Sequence, residues 1–168
     1  MSGFIVAFAI AIMPGLNETG ALSAVHSMNA INHAIGGSPL FFILFGGTGM
    51  LHIAGLVIAL KNLKLPFVWL IICAAGIYLC GVLFVTLCLN IPLNKEMAGL
   101  DLTISRNDLV AGDILARWVF WNQTRAVSSL MSVLLLAIYF YVQRIIWQQP
   151  WMQTVRHPRT HILGFRFK

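Results

Sequence analysis

Residues 67–89 carry no formal charge, and residues 40–60 carry none beyond the ionisable ring of His52. A hydrocarbon layer about 30 Å thick is crossed by about 20 residues of α-helix, because each residue advances the chain by about 1.5 Å. Two such segments, separated only by a short link ending at Pro66, constrain the fold more than any motif does. The whole chain is 59% hydrophobic and 10% charged, far from the roughly quarter-charged composition of soluble domains. In water it would expose large apolar surfaces, so an all-α integral membrane protein is expected.

Residues 126–142 form a third apolar run, read as the inner part of a helix that begins near Asp108 and is anchored by Arg144. Pro66 is expected to open the helix over 67–89. The first apolar segment, 3–16, meets Pro14-Gly15 too early to span, which predicts a first helix that is short, or bent at Pro14 and continued into 21–35. Counting these spans (3–16, 40–60, 67–89 and 126–142) gives one transmembrane domain over 1–168, a four-helix bundle with a basic tail at 148–168. Gly46, Gly47, Gly49 and Gly55 on one span, and Gly76 and Gly81 on the next, permit close helix contact.

The formal charge of +6 does not form a nucleic-acid-binding patch. Lys61 and Lys64 follow one span, and Arg144, Arg156, Arg159, Arg166 and Lys168 follow another. The five acids, Glu18, Glu96, Asp101, Asp108 and Asp113, lie in other segments. This asymmetry is the positive-inside pattern. It places both termini in the cytoplasm and 17–38 and 90–122 outside, as for a bacterial inner membrane protein. With no Lys or Arg before Lys61, the start lacks the positive region of a signal peptide and is expected to be retained. Lipids, a hydrophobic small molecule, and a second copy or a partner membrane subunit are the expected partners.

Polar side chains gather in three places. His26, Asn29 and His33 recur at i, i+3 and i+7 with Asn32 beside them, as a wet interfacial face or as part of a site. Trp118, Asn122 and Arg125 recur at i, i+4 and i+7, with Arg117 and Trp121 as a second pair. This face is either an aromatic belt with a snorkelling arginine or a holder for a flat, electron-rich or anionic ligand. The third place is a loop expected at Asn90-Ile91-Pro92-Leu93-Asn94, whose amides either cap helices or bond a ligand. All three fall at the outer boundary, and short connections draw them toward one pocket.

His52 stands apart. It reads either as a neutral ring bonded to a neighbouring helix or as a haem or copper ligand partnered by His26 or His33. Cys73, Cys80 and Cys88 form no C-x-x-C pair and read as small residues in lipid, with no metal role.

Several of these segments carry a likeness. Ala11-Ile12-Met13-Pro14-Gly15-Leu16, Met28-Asn29-Ala30-Ile31-Asn32, Pro92-Leu93-Asn94 and the W-x-x-W-N-x-x-R pattern of Trp118, Trp121, Asn122 and Arg125 occur in this order over most of the chain. Together they resemble the anthrone oxygenase family of small four-helix membrane proteins. Members carry a longer apolar lead before the Met-Pro element, so this start is shorter by about half a helix. The resemblance implies a membrane oxidoreductase that oxygenates the activated methylene of an anthrone, or of a similar hydrophobic aromatic or quinone-like substrate, without metal or flavin. It implies that Arg125 stabilises an enolate, that His26 or His33 serves as base, that Asn32, Asn94 and Asn122 orient oxygens with Asn29 among the substrate-binding residues, and that Trp118 or Trp121 stacks on the rings. Two other readings of the sequence remain. One is a non-catalytic protein holding a lipid, a quinone or a partner's transmembrane helix; the other is a haem or copper protein using His26, His33 or His52.

Overall fold

The computed structural model describes residues 1–148, so the tail expected at 148–168 lies, past Gln148, outside the described residues. Every regular element among the described residues is helical. We label them α1 (Ser2–Asn17), α2 (Ala21–Gly36), α3 (Pro39–Lys61), α4 (Trp69–Ala98) and α5 (Asp108–Trp147). The expected four helices are therefore five. α3, α4 and α5 are long and apolar enough to cross a membrane, α1 is shorter, and α2 is an added polar helix.

Pro14 neither ends nor sharply bends α1. A π-helical stretch at Phe8–Ile12 precedes it, and the widened turn takes up the missing proline N–H. The break comes later, at Gly20, whose φ of +86° lies where L side chains are strained. Thr19 Oγ1 donates to the Leu16 carbonyl at 2.7 Å just before that turn. α3 then starts on a capped end, with the Ser38 side chain accepting from the Phe41 N–H at 3.3 Å and Pro39 in the first turn.

Two expectations about helix ends are corrected. Pro66 does not open α4: Phe67 follows it with φ +59° and the helix starts at Trp69. The Pro66 carbonyl instead accepts from Gln143 Nε2 at 2.8 Å, which ties the turn to the far end of α5. The segment Asn90–Asn94 is not a loop, because α4 runs on through Pro92 to Ala98. π-helical stretches at Leu79–Phe84 and Thr86–Asn90 lie immediately upstream and again absorb the missing proline donor.

α5 is 40 residues long, about 60 Å at the usual rise, and so overshoots a bilayer. Its first half, with α2 and the ends of α1 and α4, closes around a core of Met13, Val25, Met28, Met97, Leu115 and Trp118. Below it, Ile5 of α1, Tyr78 and Val82 of α4 and Ala126 of α5 form a second cluster. α3 packs mainly on α4, and only 6% of its most apolar window is buried. An apolar helix that buries so little of itself fits a surrounding of lipid rather than water.

Charge is sorted along the long axis. Lys61 and Arg144 lie in the last turns of α3 and α5, at the end where Gln143 meets Pro66. Arg117 pairs at 3.0 Å with both Glu96 and Asp113 at the opposite end, where Asp101 accepts from Thr103 N and Oγ1 at 2.9 and 2.7 Å. Those two bonds hold the Asp101 carboxyl below the usual carboxylate range.

α4 and α5 approach closely at Gly81, where an added Cβ would overlap the Cβ and Oγ of Ser128. Gly81→Ala should therefore destabilise the detergent-solubilised protein by about 1–3 kcal/mol, whereas Gly46→Ala, in open space, should be near neutral. Thermal unfolding of the two variants checks this, and adding Ser128→Gly to Gly81→Ala should recover most of the loss.

Candidate functional site

One side of Trp118, Asn122 and Arg125 faces a cavity of about 330 Å³ where α5, α4 and α1 meet the start of α3 and the end of α2. Its size falls at the lower end of the roughly 300–1,000 Å³ of small-molecule pockets. α1 contributes Phe4, Ile5 and Phe8, α2 contributes Asn32 and Ile35, and α3 contributes Phe41, Phe42 and Phe45. α4 adds Thr86, Asn90 and Asn94.

The α4 contribution depends on helix geometry. In a regular α-helix, residues four apart drift around the axis by about 40° per step. A π turn closes over more residues and turns the other way over the same step. Because the first step, Thr86 to Asn90, is π-helical and the second, Asn90 to Asn94, is α-helical, the drifts oppose and the three side chains stay on one stripe.

That stripe meets the α5 stripe in a chain of hydrogen bonds. Arg125 donates from Nη2 to Asn122 Oδ1 at 2.6 Å and from Nη1 to Thr86 Oγ1 at 3.2 Å. Its Cζ lies 5.5 Å from the centre of the Trp118 ring. Asn122 in turn donates to the Ile5 carbonyl at 3.5 Å, which fixes its oxygen toward the guanidinium. Trp118 Nε1 donates to Asn94 Oδ1 at 2.7 Å, and Asn90 Nδ2 donates to the Trp118 carbonyl at 3.3 Å.

The polar demand of this wall is incompletely met. Arg125 Nε, Asn32 Nδ2 and Asn90 Oδ1 are buried without a hydrogen-bond partner among the described residues. Among the described residues no carboxylate pairs with Arg125, since the ion pairs all belong to Arg117. A half-buried guanidinium with no counter-ion, roofed by an indole and walled by phenylalanines, is a place where an anionic or electron-rich oxygen is stabilised.

The structure gathers six of the polar and aromatic residues singled out from sequence, Asn32, Asn90, Asn94, Trp118, Asn122 and Arg125, around this cavity. Others lie elsewhere. His26 and His33 are on the exposed side of α2 and do not line it. Asn29 turns toward α4, donating to the Met97 carbonyl at 3.2 Å. Trp121 packs against the upper core and edge-on to Phe120, with ring centres 4.9 Å apart. His52 is not among the lining residues, and among the described residues no three metal-ligating side chains converge.

Sequence reasoning missed Thr86 and the phenylalanine wall. Thr86, Asn90 and Asn94 do recur every four residues, a signal hidden by reading Pro92 as a loop. Phe41, Phe42 and Phe45 looked like any lipid-facing residues, and no periodicity tells a cavity wall from a lipid face.

No curated protein and no solved structure matches this chain. The family model described as anthrone oxygenase matches residues 39–135. That segment holds α3, α4 and the part of α5 that carries Trp118, Trp121, Asn122 and Arg125, and it is more than half of the 168 residues. The chain belongs to the anthrone oxygenase family.

Proposed function

We propose that this protein is a membrane-embedded oxygenase that binds a flat, hydrophobic aromatic substrate of the anthrone kind in the cavity beside Arg125. The observation that carries the reading is the guanidinium without a counter-ion, held by Asn122 and Thr86 under the Trp118 ring. In this reading α1 joins the three long helices as the fourth member of a bundle. The Lys61 and Arg144 end faces the cytoplasm, and the cavity sits toward the outer leaflet.

An anthrone has a methylene flanked by two aromatic rings and conjugated through them to its carbonyl. Loss of a methylene proton gives an enolate whose oxygen carries the charge. Arg125 stabilises that oxygen, shifting the acid–base balance of the substrate toward the anion. The electron-rich anion passes one electron to dioxygen, the two radicals combine at carbon, and the peroxide loses water to leave a second carbonyl. One methylene and one O₂ become one C=O and one H₂O, and the proton first released is returned in the water. The chain's own tasks are to bind, to orient and to stabilise charge, and none of these requires metal or flavin.

Among the described residues, the lining side chains include no histidine, carboxylate or lysine. The exposed positions of His26 and His33 therefore do not support either as the base, and the reading rests on substrate acidity raised by Arg125. Trp118 offers a face for the rings, and Asn32 a free amide N–H for a substrate oxygen.

A second reading has support in the phenylalanine lining. Phe4, Phe8, Phe41, Phe42 and Phe45 would also hold a lipid chain or a quinone tail with no turnover. Purified protein given an anthrone and dioxygen decides between the two. Quinone formation above the spontaneous rate, reduced by about 100-fold or more in Arg125→Ala, is the expected result. Equal rates for the two proteins would leave binding alone, and an organic extract of the preparation would then be expected to contain the bound lipid or quinone.

Trp118→Phe keeps a ring over Arg125 but removes the donor to Asn94. It should lower stability by about 1 kcal/mol and retain most of the turnover. Thermal unfolding and initial-rate measurements on the same sample check both parts.

A further inference from the structure

Below the cavity, the three long helices share a second polar cluster, centred on His52 of α3. Its Nδ1 lies 2.8 Å from the Thr48 carbonyl oxygen, and its Nε2 lies 3.1 Å from Ser132 Oγ of α5. Ser132, fully buried, donates its hydroxyl to the Ala74 carbonyl of α4 at 2.9 Å. The Tyr78 ring of α4 stacks on the imidazole, with centroids 3.9 Å apart and planes 10° from parallel.

The protons in this cluster can be counted. A carbonyl only accepts, so Nδ1 must carry hydrogen. Ser132 has one proton, and with that proton on the Ala74 carbonyl its oxygen offers Nε2 only a lone pair. Nε2 must then carry hydrogen as well, and a ring protonated on both nitrogens is an imidazolium. A neutral ring fits the same heavy-atom positions with one change. The Ser132 hydroxyl turns to donate to Nε2, and the Ala74 carbonyl is left to its place in the helical ladder. Both states use both ring nitrogens, and a single hydroxyl rotation separates them.

Charged side chains are absent from the spans around this ring, and the Met1 ammonium at the start of α1 comes to α5 near Ser129, whose carbonyl accepts from Ser2 Oγ at 3.4 Å. No Asp, Glu, Lys or Arg occurs in residues 40–60, 69–94 or 126–142. Tyr78 is the titratable group that faces it from α4. α5 faces it with Ser132, and α1 has no titratable side chain. Arg125 lies two turns up α5, about 10 Å away at the usual helical rise. What offsets a positive ring here is the π face of Tyr78 and the two acceptors. Ionisable residues held at such depth in a span are costly and mark function.

We propose that His52, Ser132 and the Ala74 carbonyl form a proton-binding site between α3, α4 and α5. In it Nε2 takes up a proton from the aqueous phase as the Ser132 hydroxyl turns to the carbonyl. Loading replaces a neutral bond between α3 and α5 with a charge-assisted one and frees the Ser132 hydroxyl to bond α4, and so clamps the three helices beneath the cavity. The site is independent of the substrate reading, because none of its groups lines the cavity.

The test is nitrogen NMR of the full chain in detergent, with ¹⁵N-labelled histidine rings titrated from about pH 8 to about pH 5, the range in which histidine ordinarily changes charge. His52→Gln identifies the signal. The expected result is reversible conversion of that ring from a neutral to a doubly protonated pattern. In Ser132→Ala, which removes the partner of Nε2 in both states, the midpoint should move by about one pH unit, and Ser132→Thr should restore it. A His52 ring that stays neutral across this range in the folded protein overturns the proposal. So does an unchanged midpoint in Ser132→Ala. If Ser132→Ala does not fold, the wild-type titration alone decides.

Discussion

Much of this structure follows from how closely α4 can approach α5. At Gly81 the absence of a side chain lets Ser128 sit against the backbone of α4, and the two helices then run side by side through both buried clusters. Above that point the polar stripe of α4, Thr86, Asn90 and Asn94, meets the polar stripe of α5, Trp118, Asn122 and Arg125. Below it, the Ala74 carbonyl meets Ser132. In an apolar surrounding, hydrogen-bonding groups stay in place only if they meet one another, so close packing and polar pairing reinforce each other. A wider separation would leave both stripes facing oil.

The unusual backbone serves the same contact. π-helical stretches flank Pro14 and Pro92, and each converts a proline that could have ended a helix into one that a helix absorbs. On α4 the outcome also shapes the candidate site, because continuing past Pro92 carries Asn94 to the Trp118 indole. Such bulges recur at functional sites in helices, and here one shapes the wall on which the guanidinium rests. The cavity that results is polar on the α4 and α5 sides and aromatic on the α1 and α3 sides. That division suits a flat ligand with an oxygen at one edge.

The resemblance to the anthrone oxygenase family was legible in short motifs, and the family match over 39–135 bears it out. The W-x-x-W-N-x-x-R pattern gave the α5 face correctly for Trp118, Asn122 and Arg125, since spacing on one helix fixes which side chains share a side. The motif also took in Trp121, and the recurrence of His26, Asn29 and His33 took in Asn29, but Trp121 packs into the core above and Asn29 holds α2 to α4. His26 and His33 do share a face of α2, as their spacing requires, and that face is turned outward.

The sequence by itself determined the all-helical class and the positions of three long apolar helices. Each is set by composition or by period along a single segment, which needs no partner to be read. Only the tertiary structure decided which faces meet. It carried α4 through Pro92, turned the α2 histidines away, and made a cavity wall of phenylalanines that read as lipid-facing. It also joined His52 to Ser132, 80 residues further along the chain. These outcomes depend on several helices packing at once, and a period along one helix does not say what lies opposite it.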